Sequence, residues 1–282
     1  MKNKFDDEND FQCCNKCDLP DTLQIVNVVL KNEEIDKKVS ELNEISEQIK
    51  NSTGSLDPKL LKPPLVIPDV SNCPFSIVFN EDCVQGLKRF ADKHFDLAIV
   101  DPPYGIGAAK EKPHNGWADW GIKQWDNESP NNEYFAELMR VSKNQIIWGA
   151  NHFISKMPYD SSCWLIWDKG QRDFSLADGE MAWTSFSKAM RIKTYSRAKA
   201  LQEGKIHPTQ KPVTLYEWQL QLFAKEGDLI LDTHLGSGSS RIAAYKNGFD
   251  FVAFEIDPEY YEKQEKRFKN FSAQQRLFYG CG

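Results

Sequence analysis

Nowhere in these 282 residues does an apolar run approach the roughly 20 that a membrane-spanning helix needs. The opening stretch, MKNKFDDENDFQ, lacks the apolar core of a secretory signal. The cysteines number seven, an odd count with irregular spacing, and offer no disulfide framework. These absences lead to the expectation of a reduced, cytoplasmic protein with no membrane partner. Excess positive charge is missing too. The formal net charge is -6, so any contact with nucleic acid must come from a local basic patch. A four-ligand metal set is also lacking. Cys13, Cys14 and Cys17 form a CCxxC cluster with the spacing of half a zinc site, but no second pair follows. No metal is expected.

What is present is ordinary for a globular chain with a real core: 40% hydrophobic and 27% charged residues. The first 74 residues differ from the rest. Val28, Ile35, Leu42 and Ile49 recur every seven residues, with Ile25 and Val39 on the neighbouring seam. That is an amphipathic helix, which either self-associates through residues 25–49 or packs on the main domain. Pro58, Pro63, Pro64, Pro68 and Pro74 then mark a linker.

From residue 75 the pattern becomes strand, turn, helix. FSIVF (75–79) reads as a strand, a helix is expected over about 84–91, and FDLAIV (95–100) reads as a fully buried strand. Towards the C-terminus a helix after Pro212 is expected to bury Leu215, Trp218 and Leu222. Strand 229–231, a small-residue turn, a helix to about Gly248 and strand 251–255 follow. Asp257-Pro258 is an N-cap with proline at the first helical position, opening a last helix. Alternation of this kind implies an α/β fold with a doubly wound, mostly parallel sheet. Residues 105–200 show little such alternation but hold Trp117, Trp120, Trp125, Trp148, Trp164, Trp167 and Trp183, seven of the eight tryptophans. Tryptophan at this spacing is more often core than base-contacting.

Three segments carry chemistry. The first is Asp101-Pro102-Pro103-Tyr104, directly after strand 95–100, where ligands of a doubly wound sheet bind. An exocyclic amine is a poor nucleophile because its lone pair is delocalised into the ring. Two acceptors aimed at its N–H bonds would localise that pair; the Asp101 carboxylate and the Pro102 carbonyl can supply them. The prolines stiffen the segment and remove donors. Tyr104 offers a face on which an extruded base can stack.

The second segment is Asp232-Thr233-His234-Leu235-Gly236-Ser237-Gly238, again strand then turn. Gly236 and Gly238 allow close approach of a ligand to the main chain. Glu255 ends the next strand, where a carboxylate commonly bonds ribose hydroxyls. Arg241 occupies the third glycine position of a dinucleotide fingerprint, which favours a smaller, phosphate-free cofactor and weighs against an NAD-dependent oxidoreductase. The third segment is His207-Pro208-Thr209-Gln210-Lys211-Pro212, a proline-flanked loop entering a helix.

In this order the three segments resemble the motifs of amino-methyltransferases, specifically the β-class DNA adenine-N6 methyltransferases, over residues 75–270. The resemblance implies a circularly permuted fold of S-adenosylmethionine-dependent methyltransferase type, with an N-terminal helical extension. It implies a catalytic domain over 75–282 with a target-recognition region inserted at about 105–205. Asp101, Pro102, Pro103 and Tyr104 would hold the target adenine of double-stranded DNA. Asp232, His234, Gly236, Ser237 and Gly238 would cradle S-adenosylmethionine, with Glu255 on its ribose, Asp82 near its adenine, and Gln210 and Lys211 on its carboxylate side. The family's loop usually reads D-P-F-x-G-x-G; Thr233 and His234 replace the Pro-Phe here. Asp101 favours adenine over cytosine N4, where serine is common. A cytosine-N4 enzyme and an inactive nucleic-acid-binding relative stay open, as does a cognate restriction endonuclease as partner. Phosphate contacts are expected from Lys188, Arg191, Lys193, Arg197, Lys199 and Lys205, a basic run opposed by Glu203 alone.

Overall fold

The computed structural model describes residues 74–107, 123, 125–172 and 177–279, with backbone alone over 275–279. The expected N-terminal helix, the linker, the CCxxC cluster, Trp117 and Trp120 lie outside the described residues. All that is described belongs to one compact unit, Asp69–Tyr279.

Its strands are β1 (Ser76–Phe79), β2 (Phe95–Val100), β3 (Ser142–Trp148), β4 (Leu165–Asp168), β5 (Gly179–Thr184), β6 (Arg191–Thr194), β7 (Leu229–Asp232) and β8 (Asp250–Phe254). Helices α1 (Cys83–Leu87), α2 (Asn132–Val141), α3 (Arg197–Gln202), α4 (Val213–Phe223), α5 (Ser239–Lys246) and α6 (Pro258–Tyr279) connect or cover them. One sheet holds all eight strands in the order β1-β8-β7-β2-β3-β5-β4-β6. Every neighbouring pair is parallel except the two that β5 makes with β3 and β4.

The expected doubly wound sheet is therefore present. The small-residue turn and α5 carry the chain from β7 outward to β8, whereas α2 carries it from β2 the opposite way to β3. The switch point lies between β7 and β2, and ligands of such sheets bind outside the carboxyl ends there. The register pairs Leu97 with Ile230 and Ala98 with Leu231. Continued by one residue, it sets Asp232 level with Ile99, so the second and first segments emerge side by side. β7, central in the sheet, comes late in the chain; this is the permuted order that the motif sequence implied.

Elements follow their sequences. β2 buries Phe95, Leu97, Ala98, Ile99 and Val100, as a strand covered on both faces must. In α2 the stripe Tyr134, Phe135, Leu138, Val141 is buried, and Asn131 caps the helix by accepting from the Tyr134 amide at 2.9 Å. Asp257 caps α6 through the Glu259 amide at 2.9 Å.

Residues 105–200, whose sequence shows little alternation, nonetheless supply β3, β4, β5 and β6 as well as α2. Two expectations need correction. α4 buries Leu215, Tyr216, Gln219, Leu220 and Phe223, while Trp218 and Leu222 are half-buried, because the helix contacts the sheet one position further round. α1 is only Cys83–Leu87, as Arg140 of α2 ends it by donating to the carbonyls of Leu87 at 3.0 Å and Phe90 at 2.8 Å. No helix among the described residues is long and apolar enough to cross a membrane.

Candidate functional site

Two clusters of site residues form at the switch point. The first is built on Asp101, immediately after β2. The Tyr104 hydroxyl donates to Asp101 Oδ1 at 2.7 Å, and Lys211 Nζ lies 2.6 Å from Asp101 Oδ2. Lys211 also reaches Glu180 Oε2 at 2.9 Å and the Tyr104 oxygen at 2.9 Å. An ammonium has three N–H donors, so all of them are used. Glu180, on β5, is in turn paired with Lys169 at 2.7 Å. Two cations thus balance two carboxylates in a largely buried site.

The protonation states follow from that balance. Burial disfavours charge on Lys211, yet Asp101 and Glu180 outweigh it and hold the amine above its ordinary value. Burial likewise opposes the Glu180 carboxylate, but Lys211 and Lys169 hold its pKa down at about 2. Burial pushes Asp101 above the usual carboxylate range against the pull of Lys211. The Tyr104 hydroxyl is held well above 10 by burial and by Asp101, so it remains a donor.

The backbone after Asp101 is fixed by a residue that sequence reading missed. Asp126, 2% exposed, accepts through Oδ1 from the amides of Tyr104 at 2.8 Å and Gly105 at 2.9 Å. On the other side the Tyr104 ring presses against Gly149, just past β3. A Cβ there would stand 2.0 Å from the ring, and Gly149 has φ +69°, a conformation that glycine adopts readily.

The second cluster surrounds the turn after β7. Asp232 Oδ1 accepts from the His234 amide at 3.0 Å and Oδ2 from the Ser240 hydroxyl at 2.5 Å. Burial raises its carboxyl to about 7. Glu255, one residue past β8, accepts from the Gly236 amide at 2.7 Å and the Asp257 amide at 2.9 Å. Ser237 Oγ bonds Ser239 Oγ at 3.1 Å. His234 approaches Thr233 Oγ1 at 2.9 Å and Cys83 Sγ at 3.9 Å, and burial drops its pKa to about 4. Asp82, beside Cys83, caps α1 through the Gln85 amide at 2.9 Å. Gly238 opens α5 with φ +74°, and a Cβ there would meet the Gln264 side chain at 3.2 Å, so the space at this glycine is filled by α6. Arg241, at the third glycine position, is 3% exposed and bonds Ser76 Oγ at 2.8 Å and Glu265 at 2.5 Å. It ties α5 to β1 and α6.

The loop 207–212 joins the clusters. The His207 ring lies 3.6 Å from where a Gly236 Cβ would be, meets Tyr260 edge-on at 4.3 Å between centroids and lies tilted against Trp125 at 5.2 Å. Four residues on, Lys211 sits on Asp101. The structure therefore places Lys211 in the first cluster, on the carboxylates, and not beside the Gly-rich turn. Gln210 belongs to neither cluster; it bonds within its own loop, to Gly204 O at 2.6 Å and the Ile206 amide at 2.9 Å. Pro102 is buried and Pro103 half-buried behind Asp101.

The basic run lies on the sheet edge. Arg191 and Lys193 are on β6, Arg197 and Lys199 on α3, Lys188 before them and Lys205 after. Lys188, Arg191 and Lys199 are exposed; Lys193, Arg197 and Lys205 are half-buried. Arg197 donates its amide to Lys169 O at 3.2 Å, and Lys169 holds Glu180, so this edge borders the first cluster. Burial, then Arg197 and Lys169, lower the pKa of Lys205. No group of metal-ligating side chains occurs among the described residues.

Residues 147–266 match a family described as DNA methylase, of N6/N4 type. The chain is 25% identical over 237 residues to "Type II methyltransferase M2.DpnII" of Streptococcus pneumoniae, covering 68% of this chain and 88% of that protein. It is 23% identical over 205 residues to "Putative methylase YubD" of Escherichia coli (strain K12), covering 66% and 87%. Among solved structures, the PvuII DNA methyltransferase, described as cytosine-N4-specific, superposes with TM-score 0.50 at 14% identity, over 73% of this chain and 93% of that one. That likeness concerns the fold. Residues 147–266 are thus similar to a DNA methylase domain of N6/N4 type, and the fold is that of the α/β methyltransferases.

Proposed function

We propose that this protein transfers a methyl group from S-adenosylmethionine to the exocyclic N6 of adenine in duplex DNA, acting on a base turned out of the helix. The observation that carries the reading is the pairing of the two clusters at one switch point: a carboxylate beside a flat tyrosine after β2, and a Gly-rich turn backed by Glu255 after β7.

The second cluster suits a nucleoside cofactor without a pyrophosphate. Trp125 Nε1 and the Tyr260 hydroxyl are buried with no hydrogen-bond partner among the described residues. Both rings pack on His207, next to Gly236. Asp232, His234, Gly236, Ser237 and Glu255 would hold the cofactor, which supplies an electrophilic methyl group when bound. Lys211 has no donor left for it in this arrangement.

Asp101 then acts on the nucleophile. Each of its oxygens accepts one hydrogen bond in the free protein and keeps a second lone pair, so the target amine can bond beside the Tyr104 hydroxyl or Lys211, or in place of one of them. Lys211 keeps Glu180 as a counter-ion either way, and its charge favours an ionised, accepting Asp101. The Pro102 carbonyl is the second acceptor. Tyr104 provides the stacking face. Lys188, Arg191, Lys193, Arg197, Lys199 and Lys205 line an edge next to this site and would track phosphates, despite the negative total charge.

Cytosine N4 has the same amine chemistry, and one solved structure with this fold carries that specificity in its description. The test is to incubate DNA with the protein and methyl-labelled cofactor, digest to nucleosides and identify the labelled one. N6-methyladenine is expected. N4-methylcytosine would replace the base assignment, and no label in any nucleoside would overturn the activity.

A further inference from the structure

His152 is exposed and lies with its ring nearly parallel to Tyr104, centroids 5.0 Å apart and planes 15° from each other. It is the ring stacked on Tyr104 among the described residues. Its backbone is held: the short turn Ala150–His152 follows Gly149, whose amide donates to Met181 O at 3.0 Å, and the His152 amide donates to Gly149 O at 2.9 Å. The side chain, by contrast, faces solvent, and exposed rotamers exchange in picoseconds to nanoseconds.

A base taken out of a duplex loses stacking neighbours on both faces. Tyr104 replaces one of them. On its far side the base meets whatever lies beyond Tyr104's face, and in this structure a second flat ring already lies there. Histidine is among the side chains on which bases stack.

We propose that His152 is the outer wall of the target-base pocket. In the free protein it rests on Tyr104 in the place of the base; on binding, its side chain rotates outward by about one ring thickness and closes over the inserted base. Neither the motifs nor the family match assigns it a role. The inference rests on the methyltransferase reading, and the test separates the two.

A duplex is first chosen whose methylation by the wild-type protein is established; if none exists, the functional reading fails and not this one. On that duplex, His152→Ala should raise KM for DNA about 5- to 150-fold, the range for loss of one base–aromatic stack. Its S-adenosylmethionine affinity and melting temperature should match wild type. With 2-aminopurine at the target position, emission in the His152→Ala complex should exceed that in the wild-type complex, because one quenching face is gone. His152→Phe should restore both KM and quenching. KM and emission unchanged in His152→Ala, or a lowered KM that marks His152 as a mere competitor, would overturn the proposal.

Discussion

Lys211 is the residue on which most of the site's electrostatics turn. It has one carboxylate partner at Asp101 and a second at Glu180, and the sequence disclosed neither pairing. The Pro-flanked loop is legible as a segment, but Lys211 and Tyr104 stand 107 positions apart, and Glu180 is 76 from Tyr104. Local pattern carries no signal at such range. The Asp101 tetrapeptide is legible because its chemistry is written in four consecutive residues. Asp126, which orients it, is an isolated acid in a tryptophan-rich stretch and leaves no mark. Glu180→Gln would leave three charges, two of them positive, in a largely buried site. Breaking a fully buried pair costs about 3–5 kcal/mol; with the Glu180 side chain 23% exposed, a loss nearer 2–3 kcal/mol is expected. Urea denaturation at pH 7 measures it, and a change below about 0.5 kcal/mol would show that the network is solvated.

Among the elements, legibility followed punctuation. β2, β7 and β8 are bounded by Asp-Pro, Gly-rich or Asn-Gly turns and read easily. β3 follows α2 without a break, Val141 passing directly to Ser142, so no glycine or proline announces it. β6, RIKT, is an edge strand whose residues are exposed or half-buried and shows no apolar alternation. Lysine and arginine on such an edge also discourage pairing with another sheet. Their second use is testable. Lys193→Ala combined with Lys199→Ala should weaken cognate and random duplexes about equally, since phosphates position without specifying. The slope of log K against log salt should flatten by roughly 0.9 per lost contact. A changed sequence preference would mean that these side chains reach base edges instead.

For the whole molecule, the sheet was predictable in kind and its strand count was not. Alternation revealed the half proposed to hold the cofactor and the strand that carries Asp101, whereas the antiparallel β5 and its neighbours depend on pairings set by tertiary packing. The global stability should carry the signature of the buried loop that joins both clusters. Burial, then Lys205 and Lys211, drop the His207 pKa from 6.5 to about 3. Below pH 6.5 the unfolded chain takes up a proton that the folded chain refuses until about pH 3, so this histidine lowers stability as pH falls through that window. Removal by His207→Phe should leave a chain whose unfolding free energy declines less between pH 6.5 and 4.5 than that of wild type. Parallel declines would place His207 in water.

The division of labour between the clusters is the central claim, and Asp101→Ala probes it directly. Calorimetry with S-adenosylmethionine and single-turnover methyl transfer should be measured on the same folded preparation. Cofactor affinity is expected to stay within about threefold of wild type, because Asp101 belongs to the cluster after β2. Transfer is expected to fall by about 10²–10³, the scale for one deleted transition-state hydrogen-bond partner. A variant that keeps more than about a tenth of wild-type transfer, or that loses the cofactor along with the activity, would contradict the account.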